Sequence, residues 1–404
     1  MKKNRFIVCD IQKVLYITSI MFFINLLQGF MKMAEKLNRN TYLSKNVGNF
    51  QETVEINGRK FVKVDDLRYG TNPHQVACYY KPADQVSVIG DMKILKNGKS
   101  GLSQTNLEDI SYALNIIKFF KNPACAVMKH VNPSGAAMAC KNDTLKDVYL
   151  KARDADARAA FGSVIAFNVE VDIETAKEIM STFCECVVAP SYAEGVLDVF
   201  NDGETYKLNK HIRILQCGDL NLLPKYVEDC DDSYNTIKVL GDGSLVVAAP
   251  LLTAIHSVDE LKLAEAENKA CGYQISQHKA TPEQLDDLLF AWYVNISVRS
   301  NGVVIAQNGQ TLSVGTGEQD RVGAIEQAII KFAEKYEGAG TLKNAVMASD
   351  GFFPFADGVE KAAAAGITAI IAPAGSLRDA DVIKRANELG VALYHAPERI
   401  FSHH

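Results

Sequence analysis

Two residues that can take part in proton transfer stand side by side in the stretch VMKHVNPSGAA, residues 127–137. His130 carries the side chain whose charge changes near physiological pH, and Lys129 beside it carries a compact positive charge. His130 could therefore transfer a proton while Lys129 provides a positive charge beside it. The alternative interpretation is an ordinary polar loop after a buried strand, which describes most such pairs. We expect a Pro-Ser-Gly turn to follow them and a helix of small residues to begin after that turn.

Further polar stretches are predicted at the ends of strands, where open α/β sheets bind their ligands. Each stretch alone is more often a surface loop or core packing, so only their combination supports a functional interpretation. They are LRYGTNPHQ (67–75) with Arg68 and Tyr69, RSNGVV (299–304) with Asn301, FFPFADG (352–358) with Phe352 and Asp357, and the terminal ERIFSHH (398–404) with Arg399.

Several familiar motifs fail on their spacing. NGKS at 97–100 has Lys93 where a phosphate-binding loop needs its first glycine. VGTGEQD at 314–320 has Asp320 where a dinucleotide fingerprint needs its third. The signature of the zinc deaminases is absent, and no histidine cluster joins Cys184 and Cys186. We therefore expect neither an ATP loop nor a zinc site.

Composition excludes several classes of protein. The 404 residues are 48% hydrophobic and 23% charged, as in globular proteins, and the net charge of −5 argues against nucleic-acid binding. Nine scattered cysteines without a CxxC pair predict free thiols in a reducing cytoplasm. Residues 14–30 are strongly apolar but short for a membrane span. We expect residues 1–48 to form an extension outside the fold, and membrane attachment is not expected.

The rest of the chain alternates short apolar runs with longer amphipathic segments, which predicts an α/β fold with mixed sheets flanked by helices. Strands are predicted around 125–131, 163–169, 367–375 and 391–396, a hairpin around Asn308-Gly309, and helices over 143–161, 173–185, 321–336 and 377–390. ECVVAPSYAEG and AIIAPAGSLRD resemble each other, which suggests two related lobes. We place their boundary near the acidic loop at 228–235, giving lobes at 49–235 and 236–404.

In combination and order, these motifs resemble the transformylase part of the bifunctional AICAR formyltransferase/IMP cyclohydrolase family, over residues 67–404. AICAR is 5-aminoimidazole-4-carboxamide ribonucleotide. The resemblance implies two cytidine-deaminase-like lobes without zinc, in an intertwined homodimer with sites at the interface. Only 67 residues precede Arg68, so we expect a stand-alone transformylase without the cyclohydrolase domain.

The resemblance also implies a reaction, the transfer of the formyl group of 10-formyltetrahydrofolate to the 5-amine of AICAR. That amine is a weak nucleophile, so attack needs a base for its proton and a donor for the developing oxyanion. His130 matches the base, Lys129 the electrostatic stabiliser, and Asn301 a hydrogen-bonding group for the reacting formyl or carboxamide. The nucleotide would be lined by Arg68, Tyr69, Gly162, Glu185, Arg321, Phe352 and Arg399, with its phosphate on Arg68 and Arg399. The folate would contact Val322, Asp357, Ser376 and Leu377.

Two alternative functions stay open. An enzyme with the same nucleotide site could take formate and ATP in place of formylfolate, although the missing ATP loop counts against it. A catalytically silent regulator could bind purine nucleotides only, although the presence of both Lys129 and His130 counts against that.

Overall fold

The computed structural model describes residues 45, 47–336 and 341–403. The apolar stretch at 14–30, and nearly all of the predicted extension at 1–48, lie outside the described residues. A twelve-stranded mixed sheet with helices on its faces forms the body of the described chain. The predicted fold class is therefore confirmed. Among the residues described, no helix combines the length and the apolar character that crossing a membrane would require.

The elements of the described residues are numbered here in chain order. The strands are β1 Thr53–Ile56, β2 Arg59–Asp66, β3 Cys78–Pro82, β4 Lys93–Asn97, β5 Ala124–Lys129, β6 Asn132–Met138, β7 Ser163–Phe167, β8 Cys184–Ala189, β9 Arg213–Gln216, β10 Thr236–Val239, β11 Leu245–Ala248, β12 Lys262–Leu263, β13 Glu265–Asn268, β14 Gly272–Ile275, β15 Val303–Gln307, β16 Gln310–Gly315, β17 Val346–Ser349, β18 Ala369–Pro373 and β19 Ala392–Ala396. The helices are α1 Gln104–Ile117, α2 Leu145–Asp154, α3 Ala157–Ala160, α4 Ile173–Ser181, α5 Val196–Asn201, α6 Pro282–Asn295, α7 Arg321–Lys335, α8 Asp357–Ala364 and α9 Asp379–Leu389. Single turns of 3-10 helix lie at Lys207–Asn209, Leu220–Leu222, Val227–Asp229, Asp232–Tyr234 and Val258–Glu260.

The large sheet repeats one pattern twice. Its strand order is β12-β19-β18-β17-β15-β16-β6-β5-β7-β8-β9-β4. From the centre outwards, β6-β5-β7-β8-β9 in one half corresponds to β16-β15-β17-β18-β19 in the other. Strands β16 and β6 join the halves at the pair Gln310 and Ala137. The two Ala-Pro stretches noted in the sequence fall at the ends of β8 and β18, which are equivalent strands in this repeat. The lobe boundary itself stays a prediction.

Helices cover both faces of the sheet because its strands are apolar on both sides. In β5, Ala126 and Met128 point into a core shared by the two halves, while Cys125 and Val127 point into the core of the other face. Helices α1 and α6 pack on the shared core, where Trp292 is fully buried. Helices α2 and α4 cover the first half of the opposite face, and α7, α8 and α9 cover the second.

Three local predictions need correction. Residues 132–138, expected as a turn and a helix start, form strand β6. The small residues there serve packing, because a Cβ on Gly135 would lie 2.1 Å from the carbonyl oxygen of Ala152 in α2. The helix predicted over 173–185 ends at Ser181, since Cys184 already begins a parallel strand. The helix predicted over 143–161 is interrupted at Asp156, which caps the short α3.

Candidate active site

The Lys-His pair lies in the turn of the hairpin formed by β5 and β6. Lys129 is the last residue of β5 and pairs with Asn132 of β6. His130 and Val131 form the turn between them with φ angles of 52° and 61°. The two side chains therefore take different directions, as their different backbone conformations require. Lys129 is half-buried, whereas His130 is exposed.

The ammonium group of Lys129 is hydrogen-bonded to Gly162, the residue immediately before β7. Its Nζ donates a hydrogen bond of 2.5 Å to the carbonyl oxygen of Gly162. Gly162 has a φ of +75°, and a Cβ there would lie 3.1 Å from that same Nζ. Glycine therefore meets both the backbone conformation and the close approach. One ammonium proton is used in this bond, and the remaining donors can serve a ligand.

The first turns of α1 organise the surrounding residues. Ser103 caps the helix, and Asn106 closes a capping box with it while its Nδ2 donates to Oε2 of Glu185 at 2.9 Å. One turn further, Oδ1 of Asp109 accepts from the backbone N–H of Val131 at 2.6 Å. The backbone N–H of Arg68 donates to Leu102 just before the helix. Helix α1 and the residues just before it therefore contact the Lys-His hairpin, the segment of Arg68, and Glu185.

Buried positive charge gathers beside Glu185. Arg68 is 7% exposed; its Nη2 donates to the hydroxyl of Tyr69 at 2.9 Å, and its guanidinium lies 4.6 Å from the centre of that ring. Nε of Arg68 is buried and has no hydrogen-bond acceptor in the described part of the chain. Burial lowers the pKa of Arg68, and the nearby charge of Arg213 lowers it further. The guanidinium of Arg213 lies 3.9 Å from the carboxylate of Glu185, and the charge of Glu185 also acts on Arg68. An excess of positive charge of this kind suits a bound anion.

Asp109 is a buried carboxyl group at the centre of this cluster. Burial raises its pKa to about 6, although the backbone N–H groups of Val131 and His130 and the charge of Lys129 act in the opposite direction. The ionised form of Asp109 therefore lowers the stability of the folded protein, although the group is present at this position.

Replacing Asp109 by asparagine is expected to change how folding stability depends on pH. The folded-state pKa lies above the ordinary value of 3.8, so the contribution of Asp109 is fully present below that value and is lost as pH rises through about 6. Relative to Asp109→Asn, the wild type should lose on the order of 2–3 kcal/mol of unfolding free energy between about pH 4 and pH 7. Urea denaturation of both proteins measures this. If the unfolding free energies of the two proteins changed in parallel with pH, the conclusion that burial raises the pKa of Asp109 would be wrong.

A second group of predicted residues lies at the start of α7 and near the C-terminus. Nη1 of Arg321 forms a short ion pair with Asp350 and also donates to the carbonyl oxygen of Gly302 at 3.2 Å. Asp350 is fully buried, and its Oδ2 accepts from the backbone N–H of Gly302 at 2.8 Å. The guanidinium of the exposed Arg399 lies 4.3 Å from the ring centre of Phe401, and that of Arg321 lies 5.8 Å from it.

Hydrogen bonds connect this second group to the Lys-His hairpin. Oδ1 of Asn132 accepts from the backbone N–H of Arg299 at 3.1 Å and from Oγ1 of Thr316 at 2.6 Å. Asn301, two residues after Arg299, donates from Nδ2 to the carbonyl oxygen of Glu318 at 2.8 Å. The segment that carries Asn301 is therefore fixed to the hairpin within one chain.

Three of the four residues predicted to bind folate, Asp357, Ser376 and Leu377, follow β17 or β18, and the fourth lies on α7. Leu377 is 96% exposed, and Phe352, which was predicted to line the nucleotide, is 36% exposed. A Cβ on Gly375 would lie 3.8 Å from the ring of Phe352, so the two loops adjoin. Asp357 is the exposed first residue of α8. Ser376, and Val322 on α7, complete the predicted set. Exposed apolar side chains beside a carboxylate fit a flat heteroaromatic ligand with N–H donors.

Sequence reasoning missed three residues of the site. Asn106 had a weak signal, since Ser103 and Asn106 have the spacing of a capping box at the start of α1, whereas Asp109 had none. Arg213 begins β9, and no local pattern marks it as a site residue. The residues joined by the contacts with Val131 and Glu185 are 22 to 79 positions apart in the sequence.

Among the described residues, no three His, Cys, Asp or Glu side chains are placed to hold a metal ion. A cavity of about 880 Å³ opens near the beginning of β5, between Phe119 and Tyr226, and it contains none of the predicted site residues. Lys118, one of the three lysines that line it, is buried and donates to Oδ1 of Asn115 at 2.6 Å.

Comparison with known proteins shows a family and several relatives that resemble this chain over most of its length. The family model described as AICARFT/IMPCHase bienzyme matches residues 31–331. The bifunctional purine biosynthesis protein PurH of Acetivibrio thermocellus is 40% identical over 366 residues, which cover 90% of this chain and 63% of the relative. PurH of Gloeothece citriformis is 39% identical over 85% of this chain and 59% of the relative, and PurH of Oceanobacillus iheyensis is 34% identical over 90% and 64%. The chain thus spans about three fifths of the length of these relatives.

Proposed function

Because this chain belongs to the AICARFT/IMPCHase bienzyme family, we propose that it transfers the formyl group of 10-formyltetrahydrofolate to the 5-amine of AICAR. The products would be FAICAR and tetrahydrofolate, in the synthesis of purine nucleotides. The observation that carries the proposal is the β5–β6 hairpin, which exposes His130 in its turn and holds the ammonium group of the preceding Lys129 on Gly162. Its relatives are named as purine biosynthesis proteins, which supports the same assignment.

The nucleotide would bind through its phosphate to the buried positive charge around Arg68. Guanidinium forks match phosphate oxygens, and the Nε of Arg68 is without an acceptor among the described residues. We assign Arg399 to the same phosphate, since its exposed guanidinium is positioned by stacking on Phe401. Tyr69, Gly162, Glu185, Arg321 and Phe352 would line the rest of the nucleotide.

The chemical step would be acyl transfer between two bound molecules. The lone pair of the AICAR amine attacks the formyl carbon, a C–N bond forms, and the formyl oxygen becomes an oxyanion. His130 takes the amine proton, and the ammonium group of Lys129 stabilises the oxyanion. The intermediate then collapses with cleavage of the bond to N10 of the folate, which receives a proton. Asn301, whose Nδ2 is already bonded to Glu318, would accept a hydrogen bond from the substrate through its Oδ1.

The folate would lie on the surface formed by the loops after β17 and β18. Asp357 would bind the N–H donors of the pterin ring, because an exposed carboxylate accepts two parallel hydrogen bonds. Leu377 and Ser376 would contact the ring from the neighbouring loop, and Val322 from α7. The exposure of Leu377, at 96%, supports a ligand that covers it.

We also propose that two copies form a homodimer whose interface includes the site. The β10–β11 hairpin exposes Val239, Leu245 and Val246, and Nζ of its Lys238 donates to the carbonyl oxygen of His403 at 2.7 Å. An apolar hairpin beside the segment that carries Arg399 suits contact with a second copy. Sedimentation equilibrium should give the mass of two chains, and a monomer at micromolar concentration would contradict the proposal.

We assign the activity to the cytoplasm. The eight cysteines within the described ranges are free thiols, and free thiols are typical of reducing compartments. Cell fractionation should recover the protein with the supernatant, and recovery in the membrane pellet would argue against this assignment.

The choice of formyl donor separates this function from its alternatives. The purified protein should turn over AICAR with 10-formyltetrahydrofolate, followed as the absorbance change of the folate. Formate with ATP should give no turnover, because the sequence lacks a phosphate-binding loop. Turnover with formate and ATP only would favour the ATP-dependent enzyme. Tight AICAR binding without turnover under either condition would favour the silent regulator.

A further inference from the structure

The repeat in the sheet places two hairpins in equivalent positions. In the first, His130 and Val131 connect Lys129 to Asn132 across the β5–β6 pair. In the second, the turn 308–309 connects Gln307 to Gln310 across the β15–β16 pair. Both residues of each turn have positive φ, 52° and 61° in the first and 55° and 66° in the second. This is the backbone pattern of a type I′ turn.

The two turns use very different residues for the same backbone. Asn308-Gly309 is the pair that type I′ turns prefer, because asparagine and glycine adopt positive φ at little cost. His130-Val131 is a disfavoured pair, since valine is β-branched and rarely adopts positive φ. The first hairpin therefore keeps a strained conformation at the position of the proposed base. Strain of this kind persists only where surrounding contacts enforce it.

A carboxylate from the preceding helix contacts each turn. In the second half, Asp287 of α6 accepts from the backbone N–H groups of Asn308 and Gly309 at 2.8 and 2.7 Å. In the first half, Asp109 of α1 accepts from Val131 at 2.6 Å, with a further contribution from the backbone N–H of His130. Both aspartates are buried. The second turn would form from its own residues, whereas the first depends on its carboxylate.

We propose that Asp109 is a positioning residue for formyl transfer, which holds the strained His130–Val131 turn so that His130 extends from the hairpin while Lys129 stays in β5 on Gly162. This inference rests on the proposed function. Without the carboxylate, the turn would relax towards negative φ at Val131, and the imidazole would leave the place where the amine proton is removed. Displacement of a catalytic group by about 1 Å can cost on the order of 10²-fold in rate.

The test is a rescue experiment on kcat. Asp109→Asn should lower kcat by on the order of 10- to 100-fold, with KM for AICAR within about threefold, since the residues that bind the nucleotide are untouched. Adding Val131→Gly to Asp109→Asn should restore most of kcat, because glycine adopts positive φ without the carboxylate. The matched control is Asp287→Asn, which makes the equivalent change at the unstrained turn and should leave kcat unchanged.

Each outcome decides the proposal. An Asp109→Asn protein with wild-type kcat overturns the proposal. A loss of kcat that Val131→Gly does not rescue also overturns it, because Asp109 would then not act through the conformation of the turn. An equal loss in Asp287→Asn would indicate a general effect on the fold and would also overturn it. If the wild type itself has no formyl transfer activity, the proposed function fails first, and the positioning role fails with it.

Discussion

Replacing His130 by alanine is expected to lower kcat by on the order of 10²- to 10⁴-fold, the usual contribution of a positioned general base. The imidazole is the exposed group of the β5–β6 turn, and no second base among the described residues shares that turn with it. AICAR binding should persist, because the phosphate contacts proposed for Arg68 and Arg399 do not involve the imidazole. Steady-state kinetics and calorimetric titration with AICAR measure the two quantities separately.

The matched control for this variant is His256→Ala. His256 is also exposed, but it forms ion pairs with Glu228 and Glu260 beside the 880 Å³ cavity, away from the predicted site. Its removal should leave kcat unchanged. An active His130→Ala protein would mean that another group removes the amine proton, and a loss of AICAR affinity equal to the loss in kcat would assign His130 to binding.

Replacing Asp350 by alanine is expected to destabilise the protein by about 3–5 kcal/mol, the cost of leaving one charge of a buried pair without its counterion. Arg321 is 6% exposed and Asp350 is 0% exposed, so water cannot replace the lost carboxylate. The backbone N–H of Gly302 would lose its acceptor as well. Urea denaturation followed by circular dichroism measures the change in unfolding free energy.

An exposed pair in the same half of the protein provides the comparison. Lys361 and Glu326 form an ion pair with 44% and 48% exposed side chains, and Glu326→Ala should cost less than about 1 kcal/mol. Similar losses in the two variants would contradict the view that burial makes the Arg321 pair important. The result also bears on the proposed site, because Asp350 holds the guanidinium of Arg321, which we propose lines the nucleotide.

Elements with a strong local signal were predictable from sequence. The β15–β16 hairpin is confirmed, since Asn308-Gly309 adopts positive φ at both residues. Helix α7 and helix α9 are confirmed as well, and α9 ends at Gly390 in the left-handed conformation. These predictions succeeded because hydrophobic periodicity and capping residues act within a few positions along the chain.

Predictions failed where packing between distant segments decides the structure. The small residues of strand β6 were expected to begin a helix after a turn, but α2 crosses so close to the strand that only glycine fits at Gly135. Cys184 and Glu185 continue a helical pattern, yet they begin β8, which pairs in parallel with β7 and β9. Periodicity cannot report such contacts, because the pairing residues lie far apart in the chain.

The residues proposed for the site were visible in the sequence as motifs, whereas the contacts that hold them in place were not. Lys129 and His130 stood out by residue type, whereas Asp109 gave no reason to be joined to them. The strain at Val131 was likewise invisible, because nothing in KHVNPSG marks a left-handed turn. Only the equivalent Asn308-Gly309 turn in the structure reveals that the first hairpin has an unusual sequence for its backbone.

The most direct test of the account uses 10-formyltetrahydrofolate that carries carbon-13 in the formyl group. After incubation with AICAR and the protein, carbon-13 NMR should find the label as a formamide on the 5-amine of the nucleotide, formed in step with tetrahydrofolate. The His130→Ala protein should bind AICAR and form this product at least on the order of 100-fold more slowly. Label that stays on the folate, or leaves it as free formate while AICAR is unchanged, would contradict formyl transfer as the function of this chain.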